Sequence, residues 1–545
     1  MSNIIGNPNE FVGMTIELRT IGPVPVIVGQ GVVGLVGEST RGPTGEAIGM
    51  GTWTDAVRYF HSGDLKEAIE LVFQQGAPVV YAIRVLGDGN AKASYTVTDG
   101  LGVPNTVGTF YAHSEGAWGN SVKITLEDDT YKGTEFEDEM PGNGTATYYT
   151  ANCNLYNNSS NFVKVNNVAK TIVYNIGDIG AGKVYLNIAD GYIQFYTGEF
   201  PTSSDTISYS VKYHTKKVTI TDNEVTFIYP RVVDLVRLTS KIEDSGLATF
   251  TAVDGETHMP QNGTYVLAGG SDGAAIDSDD WEEALYDMGE EASLQAGSPT
   301  CIAITDNTIN SGQHELVPIL DGFLTDMESD FHPCLGFVAA DPNMTVDELL
   351  DLASNFNSRL LSIVANGWDD GDIPKNIAVC RAGREAAMPL GESAAKAVNA
   401  MKGILGILNP MTQNECDVLN GGGLDVIIKK RGILPYVGIS TATDWQFMRC
   451  VDNRTINYII VATEYIARAF YHEKRTPRVL SSIKNSIKQM LDDLKHQECI
   501  RAYTLEIEPH PTDTGRVNIY MSVENIGHIE RFRTTLSVGI LEGVE

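Results

Sequence analysis

Between residues 26 and 86 the apolar positions run unbroken, then fall at helical spacing, then run unbroken again. Val32, Val33, Leu35 and Val36 carry the β-branched, apolar character of a strand buried on both faces, which predicts a core strand over 26–37. A helical signal starts at Thr54, with Leu65, Ala68, Ile69, Val72 and Phe73 on one face, and Gly76 ends it. The run PVVYAIRVL at 78–86 predicts a second buried strand. Together these segments predict a β-α-β unit with a right-handed parallel crossover.

Later segments change period. From 96 to about 264 the chain is rich in Asn, Gly, Thr and Tyr, with alternation such as Val163-Lys164-Val165 and turns such as Asp190-Gly191, which predicts an all-β insertion. An α/β rhythm returns from Tyr265 to Val437, with strands predicted near Cys301–Thr305, Leu335–Ala339, Leu361–Ala365 and Ile377–Arg381. Two long amphipathic helices follow, Asp452–Tyr471 and Pro477–Gln497, and then strands over 500–541. In the second helix Thr476 is placed to cap, Pro477 opens the first turn, and the apolar face is Val479, Ile483, Ile487, Met490, Leu491 and Leu494. Residues 1–23 are thin in apolar content and read as an extended arm. The expected layout is an arm (1–25), an α/β core in two parts (26–95 and 265–440) around a β-rich insertion (96–264), and an α+β C-terminal region (441–528).

Gly29, Gly31 and Gly34 match a dinucleotide-type GxGxxG pattern, which requires a strand, a tight turn and a helix whose N-terminus holds phosphate. Strand character continues through these glycines, and the turn residues Thr40, Gly42, Pro43 and Gly45 come later. The better reading is a strand packed closely through its glycines, with no cofactor.

Composition fits an ordinary globular protein, with 42% hydrophobic and 20% charged residues and a length sufficient for three or four domains. No apolar stretch is long enough to predict membrane insertion. Residues Met1–Glu10 lack the basic and apolar regions of a secretory leader. Seven cysteines stand at least 33 residues apart, which suits reduced, buried thiols rather than a zinc site or a disulfide scaffold.

A net charge of −31 argues against a nucleic-acid partner. From Ile242 to Ser358 there is no Lys or Arg against 23 Asp and Glu, whereas Lys429 to Arg501 holds 13 basic and 7 acidic residues. Such asymmetry guides encounter and register between subunits, although for charge taken alone solvated acidic and basic faces are the simpler account. Lys484, Lys488 and Lys495 fall on one stripe of the second helix, because spacings of four and seven return to one side.

An α/β core with Asp306, His314 and His332 invites a hydrolase reading. There is no GxSxG elbow, and GGSDG at 269–273 departs from it, so no catalytic residue is assigned, although a triad assembled from distant residues needs no local motif. The acidic runs at 277–283 and 369–372 lack the alternating ligands and closing Glu of a calcium loop, so no metal site is assigned either. Asn143, Asn158, Asn262 and Asn343 fit the glycosylation pattern, which carries no weight without a secretion signal.

Several segments in order, GVVGLVGESTRGPTGE (31–46), YAIRV (81–85), LAGGSDG (267–273), and the C-terminal region with Trp445, Arg454 and the long helices, resemble the contractile tail sheath proteins of phages and related injection systems. The resemblance spans most of the chain and is weakest over 96–264. It implies a non-catalytic, subtilisin-like α/β core and a subunit that stacks as hexameric rings around an inner tail tube, then contracts to drive the tube through a target envelope. It also implies arms that add strands to neighbouring subunits, here residues 1–25 and 529–545, with Thr15, Ile16, Glu17, Leu18 and Thr535, Leu536, Ser537, Val538 as the strand segments. Lys484, Lys488 and Lys495 become the expected tube contact. Further copies of the chain, the tube protein, and baseplate and tail terminator proteins become the expected partners. The expected location is a virion tail assembled in the host cytoplasm. A hydrolase on the same core, or another tail or baseplate component, remains the alternative.

Overall fold

A computed structural model describes residues 31–99, 105–132, 136–150, 155–189, 191–212, 214–256, 258–294, 301–305, 313–341, 343–369, 377–430, 432–513 and 515–528. The expected arm strands Thr15–Leu18 and Thr535–Val538 lie outside them.

The chain is a mixed α/β protein with several sheets. Its central sheet has seven strands in the order Ile48–Met50, Val79–Arg84, Val32–Gly37, Cys301–Ile304, Leu335–Ala339, Leu361–Val364 and Leu424–Asp425. All neighbours pair in parallel except the edge strand Ile48–Met50. Val32–Gly37 is buried at every position, and it pairs with Val79–Arg84 on one side and Cys301–Ile304 on the other. The expected β-α-β unit is therefore present, with its helical part in two pieces, Trp53–Phe60 and Asp64–Gln75. His61 and Gly63, both at positive φ, make the break. Gly76 closes the second helix in the left-handed conformation, its N–H donating to the carbonyls of Phe73 and Val72.

One predicted strand is a helix. Residues Ile377–Ala386, expected to be extended over 377–381, form a helix whose ten residues are all buried. It lies between the sheet and the helix Asp64–Gln75, so it has no solvent face to produce a polar stripe. A short apolar run buried on all sides carries no periodicity by which helix and strand can be told apart.

The expected β-rich insertion contains two separate cores and one helix, so it is not all-β. Strands Lys123–Lys132, His214–Thr221, Thr226–Val232 and Gly263–Val266 make a four-stranded sheet that packs with the strands at 94–98, 106–112 and 248–252 and the helix Leu235–Asp244. A seven-stranded sheet covering residues 136–211 is spliced between two paired strands of that module and has its own core around Val163, Leu186, Ile193 and Tyr209.

At the C-terminal end the helices Cys450–Arg468 and Pro477–His496 pack on the antiparallel pair Ile500–Pro509 and Val517–Asn525. Thr476 caps the second helix as expected, its hydroxyl accepting from the Val479 N–H at 3.3 Å. Ile483, Ile487, Met490, Leu491 and Leu494 are its buried face. Among the described residues no helix is long and apolar enough to cross a membrane.

Candidate functional site: an assembly corner

Parallel α/β sheets ordinarily receive ligands at the carboxyl ends of their strands. Here that edge is covered by the insertion. Arg84 closes strand Val79–Arg84, is almost fully buried, and donates to the Glu115 carbonyl at 2.8 Å and to Asp272 at 3.3 Å. Burial pushes its guanidinium below the usual value despite Asp272 and Glu115. Arg41, four residues beyond strand Val32–Gly37, pairs with buried Asp222 and lies over the Trp118 ring. Gly87 and Gly273 let two backbones meet, since a Cβ on Gly87 would stand 2.1 Å from the Ala274 carbonyl oxygen. The cavity left at this edge, about 580 Å³, is lined by Glu38, Asp64 and Asp272 against the single guanidinium of Arg84. A phosphate has no electrostatic reason to enter it.

Two glycines of the nucleotide-like motif, Gly31 and Gly34, serve packing, and Gly29 lies outside the described residues. Gly31, at φ 81°, leaves no room for a Cβ beside Pro78, and a Cβ on Gly34 would press on Ile302 and Met288. The next element is the strand Ile48–Met50 rather than a helix. Ser271 of GGSDG accepts the Gly273 N–H in its own turn at 3.1 Å. His332 is half-buried, which lowers its pKa, while Asp306 lies outside the described residues, as does the His314 side chain.

A sealed charged cluster lies where the helix Ile377–Ala386 packs against the sheet, and sequence reasoning missed it. Arg381 donates to Asp425 at 2.7 Å and to Glu385 at 2.6 Å, with all three side chains at 0 or 1% exposure. Arg454, from the helix Cys450–Arg468, lies 3.6 Å from Glu385 and donates to the carbonyls of Glu385, Pro389 (2.6 Å) and Glu392 (3.1 Å). Burial pushes Glu385 up, but the two guanidiniums outweigh it and hold the carboxyl below its usual range. Asp425 is pushed up by burial more than Arg381 pulls it down. So sealed a cluster offers a substrate no access, and its work is to join the core to the C-terminal helices. The one signal in the sequence was the spacing of Arg381 and Glu385, an i,i+4 pair if the segment is a helix.

The first and last described residues lie near the loop that follows this helix, at the amino-terminal edge of the sheet. A Cβ on Gly31, just before the first core strand, would be 3.3 Å from the Ala386 carbonyl oxygen. His528, the last described residue, lines a cavity with Pro389–Ser393. Cys499, at the root of the terminal hairpin, donates its thiol to the Leu390 carbonyl at 3.4 Å. Among the described residues the hairpin pairs with no third strand. Lys484, Lys488 and Lys495 are exposed on the helix Pro477–His496, on a stripe that flanks its apolar face beside Leu491. The last described residue, the two-stranded hairpin and the helix that carries the lysine stripe thus belong to one region.

Neither a protein-family model nor a curated protein matches the chain. Solved structures do. The sheath tail protein of Desulfitobacterium hafniense matches over 95% of this chain and 100% of its own, at 13% identity and a TM-score of 0.52. The sheath tail protein of Listeria innocua matches over 92% of this chain and 97% of its own, at 16% identity and a TM-score of 0.55. The chain therefore has the fold of the sheath tail proteins, the family that its sequence segments resemble.

Proposed function

We propose that the chain is the structural, non-enzymatic subunit of a contractile tail sheath, with a subtilisin-like core. It polymerises as stacked hexameric rings around an inner tail tube, in a tail assembled in the host cytoplasm, and shortens to drive that tube through a target envelope. The observation that carries this reading is the likeness of fold to two sheath tail proteins over 95% and 92% of this chain, in which a two-stranded hairpin closes the described C-terminal region. Such a hairpin accepts extended segments from other copies by strand addition, and backbone pairing of this kind survives large rigid-body motion when the connecting segments bend. Residues Thr15–Leu18 and Thr535–Val538 are the segments proposed to be exchanged.

Lys484, Lys488 and Lys495 are proposed to touch the tube. Exposed ion pairs contribute about 0 to 1 kcal/mol each, so such a contact holds by repetition around the rings and releases readily. Baseplate and terminator proteins would cap the polymer at its two ends.

Negative-stain microscopy of the protein made alone tests the reading. Hollow, ringed cylinders are expected, and deletion of residues 1–20 is expected to abolish them while the core stays folded. A small monodisperse species at high concentration would sink the proposal. Reversing the charge of all three lysines is expected to reduce tube attachment, and unchanged attachment removes them from the contact.

A further inference from the structure

Strand His214–Thr221 alternates, with Val218 and Ile220 turned into the insertion core, and Lys216 occupies the next position on that same inward face. Among the described residues it is the only buried lysine, at 6% exposure. Its side-chain nitrogen stands 2.5 Å from Oδ1 of Asn262 and 3.1 Å from Oδ1 of Asp128. We propose that the Lys216 amine condenses with the Asn262 carboxamide to form an intramolecular isopeptide bond, with Asp128 carrying the proton between them.

Three neighbouring strands bring the groups together. In the sheet order Thr226–Val232, His214–Thr221, Lys123–Lys132 and Gly263–Val266, Asp128 lies on the third strand and pairs with Lys216 across the ladder, while Asn262 immediately precedes the fourth. Lysine and asparagine therefore approach from opposite sides of the strand that holds the carboxylate. The carboxamide carbon lies one C=O length, about 1.2 Å, beyond Oδ1. At an ordinary hydrogen-bond angle the nitrogen is then about 3.3 Å from that carbon, within the range of about 3–3.5 Å of a near-attack arrangement. Lys216 is shielded from water, and Asn262 is exposed at the start of its strand, which gives the leaving nitrogen a way out.

The step is redox-neutral. The Asp128 carboxylate accepts one proton from the Lys216 ammonium, which frees the nitrogen lone pair to attack Cγ of Asn262. A new N–C bond forms, the bond from Cγ to Nδ2 breaks, and Asp128 returns its proton to the departing nitrogen. The attacking nitrogen gives a second proton to the ammonia so formed, which leaves as ammonium, and keeps the third in the new amide. The bond joins the strand by which the chain re-enters this sheet, after the spliced sheet of 136–211, to the last strand of the module. Its formation does not depend on the sheath reading; in a sheath it would let the module bear load without shedding Gly263–Val266.

Mass spectrometry of the full chain, purified and aged in solution, tests the bond. The intact mass is expected to fall short by one ammonia, and tryptic mapping is expected to give a branched peptide in which Lys216 is joined to Asn262 and no longer directs cleavage. Mapping is needed because Asn262-Gly263 can also lose ammonia alone, by closing to a succinimide. A deficit without the branched peptide, a deamidated Asn262 or an unmodified chain overturns the proposal and leaves Lys216 as a structural ion pair. Lys216→Arg, which keeps the charge, and Asn262→Ser are each expected to abolish the branched peptide. Asp128→Asn is expected to slow its formation about 10²-fold or more, and formation at the native rate in that variant overturns the role given to Asp128. The unsubstituted chain alone decides whether the bond exists, so a variant that misfolds leaves the test intact. The readout is the same whether or not cylinders form.

Discussion

Replacing Arg454 by Met removes one charge from the cluster that joins the helix Cys450–Arg468 to the core. The Arg454 side chain is 3% exposed and Glu385 is 1% exposed, so water cannot replace the lost donors. Glu385 keeps only its bond to Arg381, and the carbonyls of Pro389 and Glu392 lose the guanidinium that bridged them. Breaking a buried pair from one side typically costs about 3–5 kcal/mol, because the remaining charge stays desolvated. At about 1.4 kcal/mol per factor of ten, opening of this joint should become roughly 10²- to 4 × 10³-fold more frequent. The chain has several cores, so a single unfolding midpoint is not the right measure. Native-state hydrogen exchange should instead show faster exchange in 385–392 and 450–460, with no change in the insertion core around Val163 and Ile193. Adding Glu385→Gln should recover part of the loss by removing the stranded charge. A single variant that changes local exchange less than fivefold would refute the claim that this cluster holds the joint.

Two further outcomes follow from packing and burial. Gly87→Ala drives a Cβ to 2.1 Å from the Ala274 carbonyl oxygen, so the insertion should loosen from the core by about 1–3 kcal/mol, read as new protease cleavage near 87–92 and 268–274 with the central sheet intact. Cys334 and Cys380 are fully buried, and burial pushes both thiols up to about 12. Since only the thiolate reacts, alkylation of these two in the folded protein should be very slow at pH 8 and rise about tenfold per pH unit toward 11, and rapid labelling at neutral pH would contradict their burial.

Local patterns were legible wherever one element presents one kind of face. The helix Pro477–His496 could be read residue by residue because its buried side, its Thr476 cap and its lysine stripe each follow from spacing along the element itself. The nucleotide-like glycines were legible for a similar reason, since Val32, Val33, Leu35 and Val36 around them left no place for a helix to open. Ile377–Ala386 was not legible, and neither was the Arg381, Glu385, Asp425 and Arg454 cluster inside it and around it. Their character comes from neighbours far away in the chain.

The sequence by itself determined the first β-α-β unit, the two C-terminal helices and the reversal of charge toward the C-terminal region, because each is written in consecutive residues. Tertiary structure alone decided that one β module is spliced into another, that the insertion covers the edge where a ligand would enter, and that Gly31 and His528 come to the same loop at the opposite edge. Pairing across hundreds of residues and burial on every side depend on which partner surfaces are available, and spacing along one segment does not encode that.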